Sequence, residues 1–214
     1  MNYKGCLIIV PMKNLSTSKS RLEKYLPKNI KNKIVLKLFL NTISNIKKVT
    51  DNIAGNFNLA VLTNCKEISE LTRKNNIQII YDEIEGNLSY SIQSAAEWAV
   101  KKKYLSLCIF PADIAYLKTE EIKTLLLYSN KGRSAVICPS YDLGTNAFLV
   151  SPPNAIKFNF GYKSFLSHIE LASNAGLKPV ILNLDRIKND VDNMNDVKKL
   201  FHDFPGFIKG YNYE

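Results

Sequence analysis

The sequence predicts an α/β fold: one domain built on a mostly parallel, twisted sheet with helices on both faces. Three observations predict it. Short apolar, β-branched runs alternate with longer segments of helical period along the 214 residues. The runs are apolar at successive positions rather than at every second one, as strands covered on both faces are. No internal repeat, linker or low-complexity tract interrupts the alternation, and α/β chains of this length are commonly one unit.

The elements follow in order. Leu7-Ile8-Ile9-Val10 is the first strand, closed by Pro11. Residues 31–47 carry Ile34 and Leu38 and, one row over, Val35, Phe39, Ile43 and Ile46, the stripe of an amphipathic helix. Strands at 59–62 and 77–81 come next. A helix over 89–102 turns Ile92, Ala95, Ala96 and Ala99 inward. After a strand at 105–110, Thr119 is placed to cap a helix whose first turn holds Glu120 and Glu121 beside the positive end of its dipole. Strands at 135–138 and 147–150 precede a helix over 163–173 that Gly176 stops. A strand at 180–184 and a helix at 196–202, with Asp196 as a candidate cap, complete the set. The aromatic tail 201–214 is left to pack on the body or on a second copy in a homodimer.

Composition narrows the function classes. With 46% hydrophobic and 22% charged residues, the chain can fill a core, and disorder is not expected. The early apolar run is five residues, Cys6 to Val10, too short for a signal sequence, and no stretch is long enough to cross a membrane. A cytoplasmic protein is expected. Cys6, Cys65, Cys108 and Cys138 lack the close pairing of a zinc knuckle or redox motif and read as structural, three of them inside or beside apolar strand-like runs where a thiol behaves as a small hydrophobe. The net charge of +10 suits nucleic acid or small anionic substrates alike. Its lysines, among them Lys31, Lys33, Lys37, Lys47, Lys48 and Lys74, are spread as on solvated helix faces, with no basic face interleaved with aromatics.

Ligands of such sheets bind beyond the carboxyl ends of the strands, so the segments just after each strand are where chemistry is expected. The first strand runs into a loop holding Lys13, Lys19 and Arg21 and four hydroxyls, Ser16, Thr17, Ser18 and Ser20. Lacking glycine, the loop is neither a Walker loop nor a dinucleotide fingerprint. Either it is a solvated basic loop, or it holds polyphosphate through side chains. The strand at 105–110 ends in Pro111-Ala112-Asp113, where a carboxylate fixed by the sheet faces the cleft; Asp113 is a metal-ligand candidate or a turn aspartate. Asp190-Val191-Asp192 after the last strand is a second acidic cluster able to close on the same ion. Gly144-Thr145-Asn146-Ala147 precedes a strand, and Phe158-Asn159-Phe160-Gly161-Tyr162-Lys163-Ser164-Phe165 opens a helix. Gly161 and Ser164 there could meet an anion, or Ser164 could be an N-cap; His168, one turn on, taken alone reads as structural.

Taken together these segments resemble the 2-phospho-L-lactate guanylyltransferase family of deazaflavin coenzyme F-420 biosynthesis. The matching strings are P-x-K-x(5)-K-S-R-L at 11–22, P-A-D at 111–113, G-T-N-A at 144–147, F-x-F-G-x-x-S-F-x-x-H at 158–168 and D-x-D at 190–192. Each string alone is weak; five in this order over most of the chain are specific. The resemblance implies that 1–214 is a single nucleotidyltransferase domain of the nucleotide-diphospho-sugar transferase (glycosyltransferase-A-like) fold. It implies Lys13, Lys19, Ser20 and Arg21 on the GTP triphosphate and Leu88 and Ser89 near the base. Asp113, Asp190 and Asp192 would hold Mg²⁺ or Mn²⁺, and Thr145, Asn146, Gly161, Ser164 and His168 would hold the acceptor. Lys13, Lys19, Arg21 and Asp113 are the catalytic set it implies. Two positions depart from the family pattern: Ser89 stands where an asparagine near the base is usual, and P-A-D continues Ile114-Ala115 rather than leucine and proline.

The reaction so implied is attack of the phosphate oxygen of 2-phospho-L-lactate, phosphoenolpyruvate or 3-phosphoglycerate on the α-phosphorus of GTP, with loss of pyrophosphate. An ionised phosphate needs no general base, which suits a chain with two histidines. The rivals are a molybdopterin, isoprenoid or sugar nucleotidyltransferase, whose first loop is usually glycine-rich, a glycosyltransferase, whose D-x-D normally lies mid-chain, and, from a different class, a basic protein that binds nucleic acid without catalysis. Nucleic-acid and membrane partners are not expected.

Overall fold

The computed structural model describes residues 3–84, 86–129 and 131–209. Its strands are β1 (Lys4–Pro11), β2 (Phe57–Thr63), β3 (Gln78–Tyr81), β4 (Tyr104–Ile109), β5 (Ser134–Pro139), β6 (Thr145–Ser151) and β7 (Pro179–Ile181). They form one sheet in the order β3-β2-β1-β4-β6-β5-β7. Only β6 runs against its neighbours, β4 and β5; the other described pairings are parallel. The mostly parallel sheet and all seven strand positions agree with the sequence. The bounds shift: Ile77 precedes β3, and residues 182–184 have left β7.

The helices are α1 (Lys28–Thr50), α2 (Lys66–Lys74), α3 (Leu88–Lys101), α4 (Thr119–Leu126), α5 (Ser164–Asn174) and α6 (Met194–Asp203). A short 3-10 helix, Ser20–Lys24, ends the first loop. β1 shows why the sheet is the centre of the fold: Leu7, Ile8, Ile9 and Val10 are all fully buried. Ile8 and Val10 join a layer with Phe39 and Ile43 of α1; Leu7 and Ile9 join the opposite layer with Ile92 and Ala96 of α3. Each such side chain contributes about 1.5–3 kcal/mol by leaving water. A third cluster sets Leu22 and Leu26 against Ile34 of α1 and Phe201, Phe207 and Ile208 of the aromatic tail. Residues 210–214 of that tail lie outside the described residues.

Three local expectations are corrected. Thr119 is the first residue of α4 rather than its cap, and its hydroxyl donates to Glu120. Asn193 caps α6, while Asp196, at the third helical position, accepts from the Asn193 N–H in a reciprocal capping box. Lys31 is not solvated: it is fully buried, its ammonium on Glu23 and Ser16. Gly176 stops α5 as expected, in the left-handed region at φ 71°, with Leu177 N–H returning to Ala172 O. The four cysteines are free thiols, and burial pushes those of Cys6 and Cys138 up to about 12. No helix among the described residues is long and apolar enough to cross a membrane.

Candidate active site

The carboxyl ends of β1 and β4 share a rim with the start of β6, because β6 runs the other way. Its register pairs Ile109 with Phe148, so Thr145 falls beyond the end of β4, toward Asp113. Four chain segments therefore meet at one edge: the loop after β1, the loop after β4, the start of β6, and the stretch before α6.

The first loop is folded on Asn14. Its side-chain oxygen accepts from the N–H and hydroxyl of Ser16, each at 3.0 Å, and its carbonyl from the hydroxyls of Thr17 and Ser18. Three of the four hydroxyls thus shape the loop. Lys19 then takes the left-handed conformation, φ 55° and ψ 45°, which costs a non-glycine residue about 1 kcal/mol or more. It aims the Lys19 ammonium between the carboxylates of Asp113 and Asp192, with which it pairs. Burial alone would lower the Lys19 pKa, but these two carboxylates more than offset it and raise it.

Asp113 is held where it is by its backbone. Its carbonyl accepts from Val191 N–H and the Asn189 carbonyl from Ala115 N–H, each at 3.0 Å, an isolated antiparallel bridge pairing Ile114 with Asp190. This bridge ties the loop after β4 to the distant acidic cluster. From the first turn of α4, Glu121 secures the other end by accepting from Arg186 N–H and Ile187 N–H at 2.9–3.1 Å. As a result Asp113, Asp190 and Asp192 each bring a carboxylate oxygen within 4.8 Å of the others. Burial raises the Asp190 pKa to about 6, and the neighbouring Asp113 and Asp192 charges add to it.

The donor set fits a hard divalent cation. All three groups offer carboxylate oxygen, and the buried Oδ1 of Asp113 has no hydrogen-bond partner. Mutual repulsion of carboxylates at this spacing is what such a cation would relieve.

Beside the cluster lies a cavity of about 440 Å³. Lys13, Lys19, Ser20, Arg21, Asp113 and Asp192 line it, and Met12, Val35, Leu62 and Leu88 supply an apolar lining. Asp82, just past β3, also lines it; the sequence reading passed it over, although a carboxylate after a strand is the signal that singled out Asp113. A smaller cavity of about 170 Å³ shares Arg21 and Asp192 and adds Asp190, Tyr141 and Lys188.

Of the remaining predicted residues, Thr145, Ser164 and His168 form a second, neutral group, which lines neither of these two cavities. His168 is wholly buried, and burial lowers its pKa to about 4. Its Nε2 accepts from Asn159 N–H at 3.1 Å, so the proton of the neutral ring sits on Nδ1 and is donated to Thr145 Oγ1 at 2.9 Å. Ser164 also donates to Thr145, at 3.2 Å. Ser164 is the first residue of α5 and caps nothing; the position before it, Lys163, makes no side-chain cap. Gly161 is exposed at φ 145°, with nothing near where a side chain would stand. The hydroxyl of Ser89 bonds the backbone N–H and C=O of Phe160 at 2.8 and 3.3 Å, and so braces the segment opening α5. Asn146 links the two groups: its amide donates to Asp190 at 3.2 Å and to Ile187 O at 2.7 Å.

Comparison with known proteins places the chain in a family. Residues 6–211 match the family described as "Guanylyl transferase CofC like". The chain is 32% identical over 193 residues to a 3-phospho-D-glycerate guanylyltransferase of Colwellia psychrerythraea, covering 90% of each chain. It is 27% identical to a 2-phospho-L-lactate guanylyltransferase of Methanocaldococcus vulcanius, covering 91% of this chain and 84% of that one. In fold it is similar to a putative nucleotide-diphospho-sugar transferase from Desulfovibrio desulfuricans, with a TM-score of 0.72 at 14% identity over 99% of this chain and 100% of the other. The convergence of the first-loop cations with three carboxylates at the sheet rim is thus set in a chain that belongs to the CofC-like guanylyl transferase family.

Proposed function

We propose that the chain transfers the guanylyl group of GTP to the phosphate of a small phospho-acid, releasing pyrophosphate, as a step of deazaflavin coenzyme biosynthesis. The acceptor class is 2-phospho-L-lactate, phosphoenolpyruvate or 3-phosphoglycerate; two of these appear in the names of the relatives above. The observation that carries the reading is the meeting of Lys19, Asp113 and Asp192 on the wall of one cavity. At about 440 Å³ that cavity lies within the range of small-molecule sites.

An oxygen of the acceptor phosphate attacks the α-phosphorus, a new P–O bond forms, and the bond to the β-phosphate bridging oxygen breaks. The attacking group is already ionised, so the chain's work is to bring two polyanions together and hold the charge that develops on the leaving pyrophosphate. Lys13, Lys19 and Arg21 neutralise the triphosphate; the apolar lining around Leu88 receives the base. Thr145, Ser164 and the backbone at Gly161 hold the acceptor phosphate, with Asn146 keeping that group in register with Asp190. His168 moves no proton to substrate; it is buried, and both ring nitrogens are engaged. Asp113 and Asp192, with Asp190, would hold Mg²⁺ or Mn²⁺, which supplies positive charge to the phosphoryl oxygens when bound.

A pyrophosphate-release screen of GTP, ATP and CTP against the three phospho-acids tests donor and acceptor together. Turnover with GTP and one of the acids is expected. Release with none of the pairs, or a preference for ATP or CTP, overturns the reading.

A further inference from the structure

Lys31 sits on α1 beneath the first loop and is fully buried. A lysine this far from water is rare unless it is paired and hydrogen-bonded. Its ammonium donates to the Ser16 carbonyl at 3.1 Å and to the Glu23 carboxylate at 2.8 Å. These two partners flank the cation-bearing stretch: Ser16 lies between Lys13 and Lys19, and Glu23 is two residues past Arg21. The hydrogen bond from Lys31 holds the Glu23 carboxyl below its usual range.

We infer that Lys31 is a positioning residue: it fixes both sides of the loop from below and so sets the spacing at which Lys13, Lys19 and Arg21 meet a polyphosphate. Folding alone does not require an ammonium here. The adjoining α1 positions Ile30, Ile34 and Val35 are buried and apolar, and the Glu23 carboxylate is 43% exposed, so water can take it up when the ammonium is removed and no charge is left buried without a partner. What the apolar side chain cannot do is hold the Ser16 carbonyl and the Glu23 carboxylate at fixed separation. Lys19 needs that restraint most, because its own backbone is in the left-handed region and its side chain faces two carboxylates. The inference rests on the proposed role of the loop in binding triphosphate, and its test separates the two.

The test uses the full chain with Lys31→Met, which keeps length and volume, and Glu23→Gln, which changes only the partly exposed partner. Amide hydrogen exchange over residues 13–24, thermal midpoint, Kd for GTP, and KM for the acceptor are measured. Lys31→Met is expected to fold with a nearly unchanged midpoint. Exchange in the loop should rise, and GTP binding weaken by about tenfold, the scale on which small misplacements act, while the acceptor KM changes little. Glu23→Gln should fall between wild type and Lys31→Met. If the midpoint drops while loop exchange and GTP affinity stay at wild-type values, or if GTP and acceptor weaken together, Lys31 is only structural and the inference is overturned. Faster loop exchange in Lys31→Met together with a wild-type chain that binds no GTP would overturn the proposed function and leave the brace standing.

Discussion

The two sides of the rim solve different problems with different chemistry. On the β1–β4 side, three carboxylates lie within 4.8 Å of one another with one ammonium among them. Asp113 Oδ1 is buried without a hydrogen-bond partner, and Asp190 is pushed up to about 6 by burial and by its like-charged neighbours. On the β6–α5 side the groups are neutral and, apart from the Thr145 hydroxyl proton, engaged with one another: a buried imidazole, two hydroxyls and a backbone N–H in one hydrogen-bonded chain. The difference shows where free energy is held in reserve. The charged side is electrostatically unfavourable as it stands, so a divalent cation would gain by completing it. The neutral side is preorganised, and gains from a ligand only what its one free hydroxyl proton can donate. Asn146, bonded to Asp190 from the strand that also carries Thr145, keeps the two in register.

The sharpest way to break the charged side is Asp113→Asn. It keeps the shape and removes one charge from the triad, and should cost at least about 100-fold in kcat/KM, roughly 3 kcal/mol, measured by pyrophosphate release at saturating metal. Near-wild-type turnover would remove Asp113 from the reaction. Lys19→Met should lose about as much, and with a distinct second signature. With the ammonium gone, the carboxylates repel without relief, so thermal stability in a metal-free buffer should fall and added Mg²⁺ should restore more of it than in wild type. A variant with unchanged midpoint and unchanged turnover would show that the ion pairs contribute nothing.

Much of this side was legible in the sequence, for a physical reason. Strands buried on both faces show as unbroken apolar runs, and the residues just past them face the ligand, so Lys19 and Asp113 could be named from position. Two things were not legible. The bridge of Ile114 to Asp190 joins residues far apart in the chain through one pair of positions, which leaves no periodic trace; that Asp190 and Asp192 could close on the ion of Asp113 was legible, but the backbone pairing that brings them there was not. The helix α2 left little mark either, since its buried residues are Ile68, Ser69 and Thr72, one apolar side chain and two hydroxyls. Lys31 misled for the converse reason: on a helix rich in surface lysines, nothing local separates the one whose ammonium turns under the loop.

The neutral side can be broken through its histidine. The folded-state pKa of His168 falls from an ordinary 6.5 to about 4 because the ring is buried. Between those values the unfolded chain takes up a proton that the native ring refuses, so acid favours unfolding. The contribution is intact above about 6.5 and is lost as pH falls toward 4, by up to roughly 1.4 kcal/mol per pH unit. Carboxylates add their own slopes in the same window, so the readout is a difference: urea unfolding of His168→Gln against wild type across it. The variant should lose this part of the acid sensitivity. Identical slopes would mean that the ring is protonated in the native protein.

Thr145→Val is the gentlest cut and the one that best separates the two sides. The Thr145 oxygen accepts from both His168 Nδ1–H and Ser164, which leaves its own proton as the free donor of that chain. Valine keeps the volume and strips both roles. The unpaired imidazole and serine donors should lower stability by about 1–3 kcal/mol. A lost hydrogen bond to an acceptor phosphate should raise the acceptor KM by about tenfold, and the KM for GTP should hold. Thr145→Ser, which keeps the hydroxyl, is the control and should stay near wild type in both. A rise in the GTP KM equal to that of the acceptor would mean that the neutral side also serves the nucleotide, since a hydroxyl touching only the acceptor has no means of distinguishing how tightly the triphosphate is held.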